Sequence, residues 1–405
     1  MTISLIAKQI GQSATLKLNS TAAAMQAKGE PVIHLGGGEP KSKAPLDAVL
    51  QAAAMLRSAE VRYTPPDGTA ALKKAIIRYT EEWYGKTVTP KHVMASSGAK
   101  QALMVALQTI LDPNDEVIFP TPYWVSYPDM AKLVGAIPVP VRPADGSFTP
   151  SVQDIERAVS SNTKAVILNS PNNPSGAVYP KSVVADIVQF CEARGLYLIM
   201  DDIYHRLIFG GGRPVNCCEF AKDHSESSKL IIINGVSKQY AMTGFRIGWA
   251  VANKNIIEVM TNIQGHQTSG PSALLQHAAV GAITGVQSCV ESLRTTLENN
   301  RNIMMQQLRS FKGVRIIEPG GTFYCFPDFS AYEKDSVKLA ERLLDKAQVV
   351  TVPGKEFGLD GHLRLSYCGT IGDVKTGIER IKWVLDPDSP SELTIGERRV
   401  VRDWT

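Results

Sequence analysis

Short apolar runs alternate with segments of helical period through the middle of the chain. The runs are Val93–Ala95, Glu116–Phe119, Ala136–Val141, Lys164–Leu168, Leu196–Met200, Leu230–Ile233 and Ile247–Val251. Between several of them lie segments such as Ala99–Leu111 and Ser182–Ala193, whose apolar residues recur at helical spacing. A strand that is apolar on both faces needs cover on both faces, so helices must pack on each side of its sheet. The pattern predicts an α/β fold with a mostly parallel sheet. The ends read differently. Residues 1–35 and 280–385 carry longer amphipathic helices, Val286–Leu308 and Gly372–Leu385 among them, with short strands near Val349–Val352 and Leu363–Ser366. They predict a second, smaller α+β domain built from both termini. The expected organisation is an N-terminal arm and part of the small domain over residues 1–40, and a large domain over 41–280. The small C-terminal domain follows over 281–385, and a peripheral tail over 386–405.

Length agrees with this division: 405 residues hold two or three units of roughly 100–200 residues. The 43 Lys and Arg residues nearly balance the 39 Asp and Glu, a net charge of +4 that gives no footprint for nucleic acid or an anionic membrane. None of the six cysteines forms a C-x-x-C pair, so no metal site is expected, and a reducing compartment fits. The apolar stretch Ile3–Ala7 is shorter than a signal-peptide core of ~7–15 residues. No run approaches the ~20 apolar residues of a spanning helix. The expectation is a cytoplasmic protein with neither nucleic acid nor membrane as partner.

Four polar clusters each follow a predicted strand. In an open parallel sheet, ligands bind beyond the carboxyl ends of the strands, so these clusters should share one cleft. Ser96-Ser97-Gly98-Ala99-Lys100 has the small residues that expose N–H groups at a helix start, suiting a phosphate. Asn169-Ser170-Pro171-Asn172-Asn173-Pro174-Ser175-Gly176 is a rigid turn that can present amides. Asp201-Asp202-Ile203-Tyr204 sets a carboxylate and a phenol three residues apart. Ser237-Lys238 offers an amine nucleophile, followed by Thr243-Gly244-Phe245-Arg246. The first three alone have plainer readings: a helix cap, a turn, an N-cap aspartate. Together they are the parts that hold pyridoxal 5'-phosphate (PLP). Its aldehyde takes a lysine, its ring nitrogen a carboxylate, its ring oxygen a phenol and an amide, and its phosphate N–H groups and a guanidinium.

Six strings in order sharpen this: RYTPPDG (Arg62–Gly68), PTPYWVSYPDM (Pro120–Met130), NSPNNPSGAVYP (Asn169–Pro180), DDIY (Asp201–Tyr204), NGVSKQYAMTGFRIGWA (Asn234–Ala250) and HLRLSY (His362–Tyr367). Over residues 13–385 the chain resembles the class I aminotransferases of PLP fold type I, with the bacterial aspartate aminotransferase subgroup as the nearest likeness. The resemblance implies a mostly parallel seven-stranded sheet in a large domain, with a smaller α+β domain. It implies that Lys238 carries the cofactor as a Schiff base and then moves the substrate proton, with Asp201 on the pyridinium and Tyr204 and Asn173 on the ring oxygen. Gly98, Ala99, Lys100, Ser237 and Arg246 match the phosphate site, and Trp124 the residue stacked on the ring. Tyr63 matches a residue that reaches the neighbouring subunit's phosphate, which implies a homodimer with shared sites. Arg364 would bind the substrate α-carboxylate, with Gly38, Asn173 and Trp124 nearby, Lys100 a distal carboxylate, and Thr15 would lie in a segment that closes over the substrate.

The implied reaction is ping-pong transfer of an amino group from an L-amino acid, aspartate or glutamate, to a 2-oxo acid such as 2-oxoglutarate. Three departures bear on the side-chain pocket. Lys41-Ser42-Lys43 replaces an acidic and an aromatic residue, Phe245 replaces a tryptophan, and His266 stands in a stretch that approaches the partner's pocket in relatives. They leave aromatic amino acids or prephenate, and a PLP lyase, as alternatives. A nucleotide-binding dehydrogenase is excluded at Gly36-Gly37-Gly38, because Pro40 follows where G-x-G-x-x-G would lead into a helix. A ligand-sensing DNA-binding regulator lacks the ~60–80 N-terminal residues it would need.

Overall fold

The computed structural model describes residues 3–11, 14–221 and 227–404, with the side chains of 14–16 outside that set. The chain opens with α1 (Leu5–Gln9), α2 (Ala14–Ala27), the short β1 (Ile33–His34), α3 (Leu46–Ser58) and α4 (Ala70–Tyr84). The alternating middle follows: β2 (Val93–Ser96), α5 (Ala99–Ile110), β3 (Glu116–Pro120), α6 (Ser126–Leu133), β4 (Ile137–Val141), α7 (Val152–Glu156) and β5 (Thr163–Asn169). It continues through α8 (Lys181–Arg194), β6 (Tyr197–Asp201), β7 (Leu230–Gly235), β8 (Gly248–Val251) and α9 (Lys254–Gln267). The last part holds α10 (Ala273–Thr284), α11 (Ser288–Leu308), β9 (Tyr324–Cys325), α12 (Ser336–Ala347), β10 (Val349–Val350), β11 (Val352–Pro353), β12 (Leu363–Ser366), α13 (Ile371–Leu385), β13 (Glu392–Ile395) and β14 (Arg398–Val401).

Among the described residues, seven strands form one sheet in the order β2-β8-β7-β6-β5-β3-β4. The pairs from β7 through β4 are parallel, and β8 runs antiparallel to both its neighbours. This is the mostly parallel sheet that the apolar runs predict. The edge strand β2 and the inner strands β7 and β8 show no exposed residue. Register levels the strand ends. Asn169 pairs with Asp201, and Asp201 with Ile233, so three chain segments about thirty residues apart finish side by side.

The edge strand β4 differs from its sequence signal. Its run is apolar, yet Ile137 and Pro140 are exposed. Two prolines remove ladder donors, and an edge tolerates that where a central strand does not. The other half of the molecule gathers α2, α11, α12 and α13 around β1 paired with β10, and around the three-stranded order β11-β12-β9. The stretch after Asp386, expected as a tail, forms the hairpin β13–β14. Trp404 packs edge-on against Trp383 at 5.2 Å between ring centres. Arg402 donates to the carbonyls of Asp386 (2.6 Å), Pro387 (2.7 Å) and Ser389 (3.1 Å). No single helix among the described residues is long and apolar enough to cross a membrane.

Behind the sheet end lies a buried polar chain. Tyr84 OH donates to Asp202 Oδ2 at 2.7 Å, Asn234 Nδ2 donates to Tyr84 OH at 3.3 Å, and the Tyr84 ring stacks on His205 at 4.6 Å and 7°. Burial pushes the Asp202 carboxyl up to about 8; the Tyr84 hydroxyl works against that and neighbouring Asp201 adds to it. An unfolded aspartate loses its proton near pH ~4, so between about pH 4 and 8 the folded ligand-free chain holds one proton more than the unfolded. This group therefore lowers stability as pH rises through that window. Asp202→Asn keeps an acceptor for Tyr84 and removes the titration. Its thermal midpoint relative to the parent should climb between about pH 5 and 8, and a pH-independent difference would contradict the assignment.

Candidate active site

The levelled strand ends open into a cavity of about 440 Å³. Its wall is supplied by the segments after β2, β3, β5, β6 and β7 on one side and by the loop after β1 with β9 and β12 on the other. Thus Ala99, Lys100, Trp124, Asn173, Asp201 and Tyr204 meet Ser237, Lys238, Arg246, Gly38 and Arg364 in one space. Distances along the sequence are no obstacle, because a parallel sheet delivers every strand's end to the same edge.

The anion end is built from backbone. Gly98 caps α5 at φ 94°, and a Cβ there would lie 2.6 Å from Arg246 Nη2. Only glycine accepts both the dihedral and the approach. Gly248 of β8 runs so close beneath the start of α5 that a Cβ would overlap Ala99 N. The first N–H groups of α5 have no partner within the helix and carry its positive end. Arg246, in a left-handed conformation at φ 53° and donating to Thr243 O at 3.1 Å, adds a guanidinium beside them.

Asp201 ends β6 with its carboxylate buried. Tyr127 OH donates to its Oδ2 at 2.6 Å, and Asn169 Nδ2 donates to its backbone carbonyl at 2.7 Å. Burial pushes the carboxyl up to about 6, against the pull of the Tyr127 hydrogen bond and of Lys238. Lys238 follows β7 and donates from Nζ to Gly38 O at 2.6 Å. Burial, then the Arg364 charge, brings its amine down to about 8, with Glu39 pulling the other way. Tyr204 is buried, its hydroxyl donating to Tyr324 OH at 3.4 Å.

Arg364 comes from the opposite wall on β12 and is buried. Its Nη1 donates to Asn173 Oδ1 and its Nη2 to Gly36 O, both at 3.0 Å, and the guanidinium lies 4.3 Å from the Tyr324 ring centre. Its Nε is buried with no partner among the described residues. A buried charge-bearing donor left open calls for an acceptor anion. Lys100 Nζ lies 4.8 Å from the Trp124 ring centre, and burial followed by Arg246 lowers its pKa.

Two sequence-predicted residues stand apart. Tyr63 is 97% exposed and outside the cavity wall. The side chain of Thr15 lies outside the described residues. Among the departures, Lys41 pairs with Asp373 at 3.1 Å, Phe245 packs half-buried against the core, and His266 is exposed near the end of α9. Sequence reading assigned no role to Tyr127 or Tyr324, and placed Asn169 only in a turn that can present amides. Tyr127 sits three residues after Trp124, where a helix start would bring both to one side. Tyr324 lies on a two-residue strand that carries no local signal.

Comparison with known proteins agrees with this geometry. Residues 30–381 match the family model "Aminotransferase class I and II". The aspartate aminotransferase of Geobacillus stearothermophilus is 38% identical over 380 residues, covering 91% of this chain and 95% of that protein. The aspartate/prephenate aminotransferase of Thermus thermophilus is 35% identical over 378 residues, covering 92% and 96%. Among solved structures, the aspartate aminotransferase of Rhizobium meliloti superposes with a TM-score of 0.89 at 33% identity, over 94% of this chain and 98% of that one. The Thermus thermophilus enzyme solved with maleate gives 0.88 at 34%, with the same coverage. With the match spanning so much of both partners, the chain belongs to the class I and II aminotransferases and is an aminotransferase of the PLP-dependent, fold type I kind.

Proposed function

We propose that this chain binds PLP in the 440 Å³ cavity and uses it to move the amino group of aspartate or glutamate to a 2-oxo acid such as 2-oxoglutarate. The observation that carries the reading is Arg364: a buried guanidinium with an open Nε, in one cavity with Lys238 and Asp201. The donor set fits the cofactor. Gly98, Ala99, Ser237 and Arg246 suit its phosphate, Asp201 its ring nitrogen, Tyr204 and Asn173 its ring oxygen, Trp124 its face and Lys238 its aldehyde carbon. When bound, PLP supplies an aldehyde that captures amines and a cationic ring that draws electrons from the captured carbon.

The residues of the chain do the rest. Asp201, buried and held by Tyr127, is a carboxylate whose charge is costly without a facing cation, so it favours a protonated ring nitrogen. Arg364 clamps the α-carboxylate and so fixes which bond at Cα faces the ring. Lys238, its amine near 8 rather than in the usual lysine range, is partly free base at neutral pH and can take the Cα proton and return it. Lys100 offers a cation to a distal carboxylate. Relatives carrying the aspartate aminotransferase name, one of them solved with the dicarboxylate maleate, support the acidic-substrate reading.

The same reading takes the active form as a homodimer in the cytoplasm. Leu46, Val49 and Leu50 of α3 are exposed, as are Val286 and Tyr63, apolar side chains that a second copy would cover. Its six cysteines are all free, as a reducing compartment allows.

An amino-donor panel with 2-oxoglutarate should rank aspartate and glutamate first. Preference for an uncharged, aromatic or basic donor would overturn the acidic-substrate reading, and regeneration of the starting absorbance without a stable amine-loaded cofactor would make the enzyme a lyase. Lys238→Ala should abolish the visible absorbance that PLP acquires on covalent attachment, and a band that survives would refute the lysine's role. Gly248→Ala should push α5 from the sheet, weakening PLP retention on dialysis and lowering stability by about 1–3 kcal/mol; unchanged retention would separate the anion cradle from the close approach of Gly248.

A further inference from the structure

The cavity wall holds a further polar side chain that faces the substrate end and has no part in the scheme above. Asn19, half-buried on α2, lines the same cavity as Arg364 and Lys100. Its Oδ1 lies 3.0 Å from Nε2 of His34. His34 ends β1, two residues before Gly36. Its ring lies along the loop that follows: a Cβ on Gly36 would stand 3.4 Å from His34 Cε1, and one on Gly37 would stand 3.7 Å from His34 Nδ1. That same loop gives Gly36 O to Arg364 and Gly38 O to Lys238. His34 is thus wedged between the N-terminal helix and the loop that borders the substrate carboxylate site.

This placement fixes the Asn19 amide. Burial lowers the His34 pKa, with Arg364 and Lys41 adding to that and its own backbone carbonyl opposing, so the ring is neutral near pH ~7. An amide oxygen only accepts, so the 3.0 Å contact is a donation from a ring N–H on Nε2 to Asn19 Oδ1. The amide oxygen is then engaged and the NH₂ end is the open one. No other hydrogen-bond partner for this amide is found among the described residues. An NH₂ group on a wall shared with Arg364 and Lys100 is a neutral donor set among cations, and it suits an oxygen that carries negative charge.

We propose that Asn19 is a specificity-determining residue whose side-chain NH₂ donates to the distal carboxylate of a dicarboxylic substrate, with His34 as the positioning residue that orients the amide. This rests on the acidic-substrate reading. It assigns the pocket a neutral donor alongside Lys100, which recognises direction where a cation recognises charge.

The test uses PLP-loaded enzyme with aspartate and alanine as donors, and maleate titrated calorimetrically as a dicarboxylate probe. Asn19→Ala should lower the ratio of kcat/KM for aspartate over alanine by roughly tenfold, mainly through KM, and weaken maleate by a similar factor, as loss of a hydrogen bond to a charged group implies. His34→Leu should give part of that loss. His34→Gln, which keeps an N–H donor, should recover more of it. Equal losses for both donors in Asn19→Ala, or unchanged maleate affinity, would overturn the role of Asn19. Equal behaviour of His34→Leu and His34→Gln would overturn the positioning role. A parent enzyme that does not favour aspartate over alanine would instead overturn the acidic-substrate reading itself.

Discussion

A carboxylate buried at the end of a central strand governs this molecule. Asp201 has lost water, and burial alone would leave it protonated well into the weakly acidic range. Tyr127 and the Asn169 amide hold it in place but supply no charge. Within the chain the positive charge that bears on it is the amine of Lys238, which shares the cavity with it. The amine of Lys238 and the guanidinium of Arg364 face the same space, and each is constrained by the other's charge: Arg364 is one reason the lysine gives up its proton more easily.

The sheet makes this possible because its register brings Asn169, Asp201 and Ile233 abreast. The motifs that announce the fold in the sequence are the segments that leave those ends. That is why this part was legible: apolar runs fix the strands, the strands fix the edge, and Gly, Asn, Asp and Lys residues just past each run have nowhere to go but the cleft. Helix and strand limits agree for the same reason. Lys181–Arg194 and Ile371–Leu385 bracket the segments that periodicity predicts, ending where Gly195 and the chain past Asp386 stop them.

What stayed hidden depended on contacts between distant segments. Tyr324 sits on two residues of strand, and Asn19 and His34 are fifteen positions apart on a helix and a strand. Nothing in periodicity or composition joins such pairs. Edge behaviour was hidden too, since an apolar run reads the same whether one neighbour or two will cover it; only Pro138 and Pro140 hinted that β4 would be an edge. Tyr63 lies beyond what one copy of the chain can place, because its side chain meets solvent on nearly every side.

The closing hairpin has a consequence for how the two ends of the polypeptide are joined. A helix ends with carbonyls that point outward unanswered, and at the end of α13 the answer arrives from sixteen residues downstream, where Arg402 reaches Asp386 O at 2.6 Å. Its positive charge stands at the negative pole of that helix. The turn of the same hairpin, at Gly396, abuts Pro31 just ahead of β1. The hairpin therefore acts as a clasp, seating the last helix against the strand from which the glycine loop of the cleft departs.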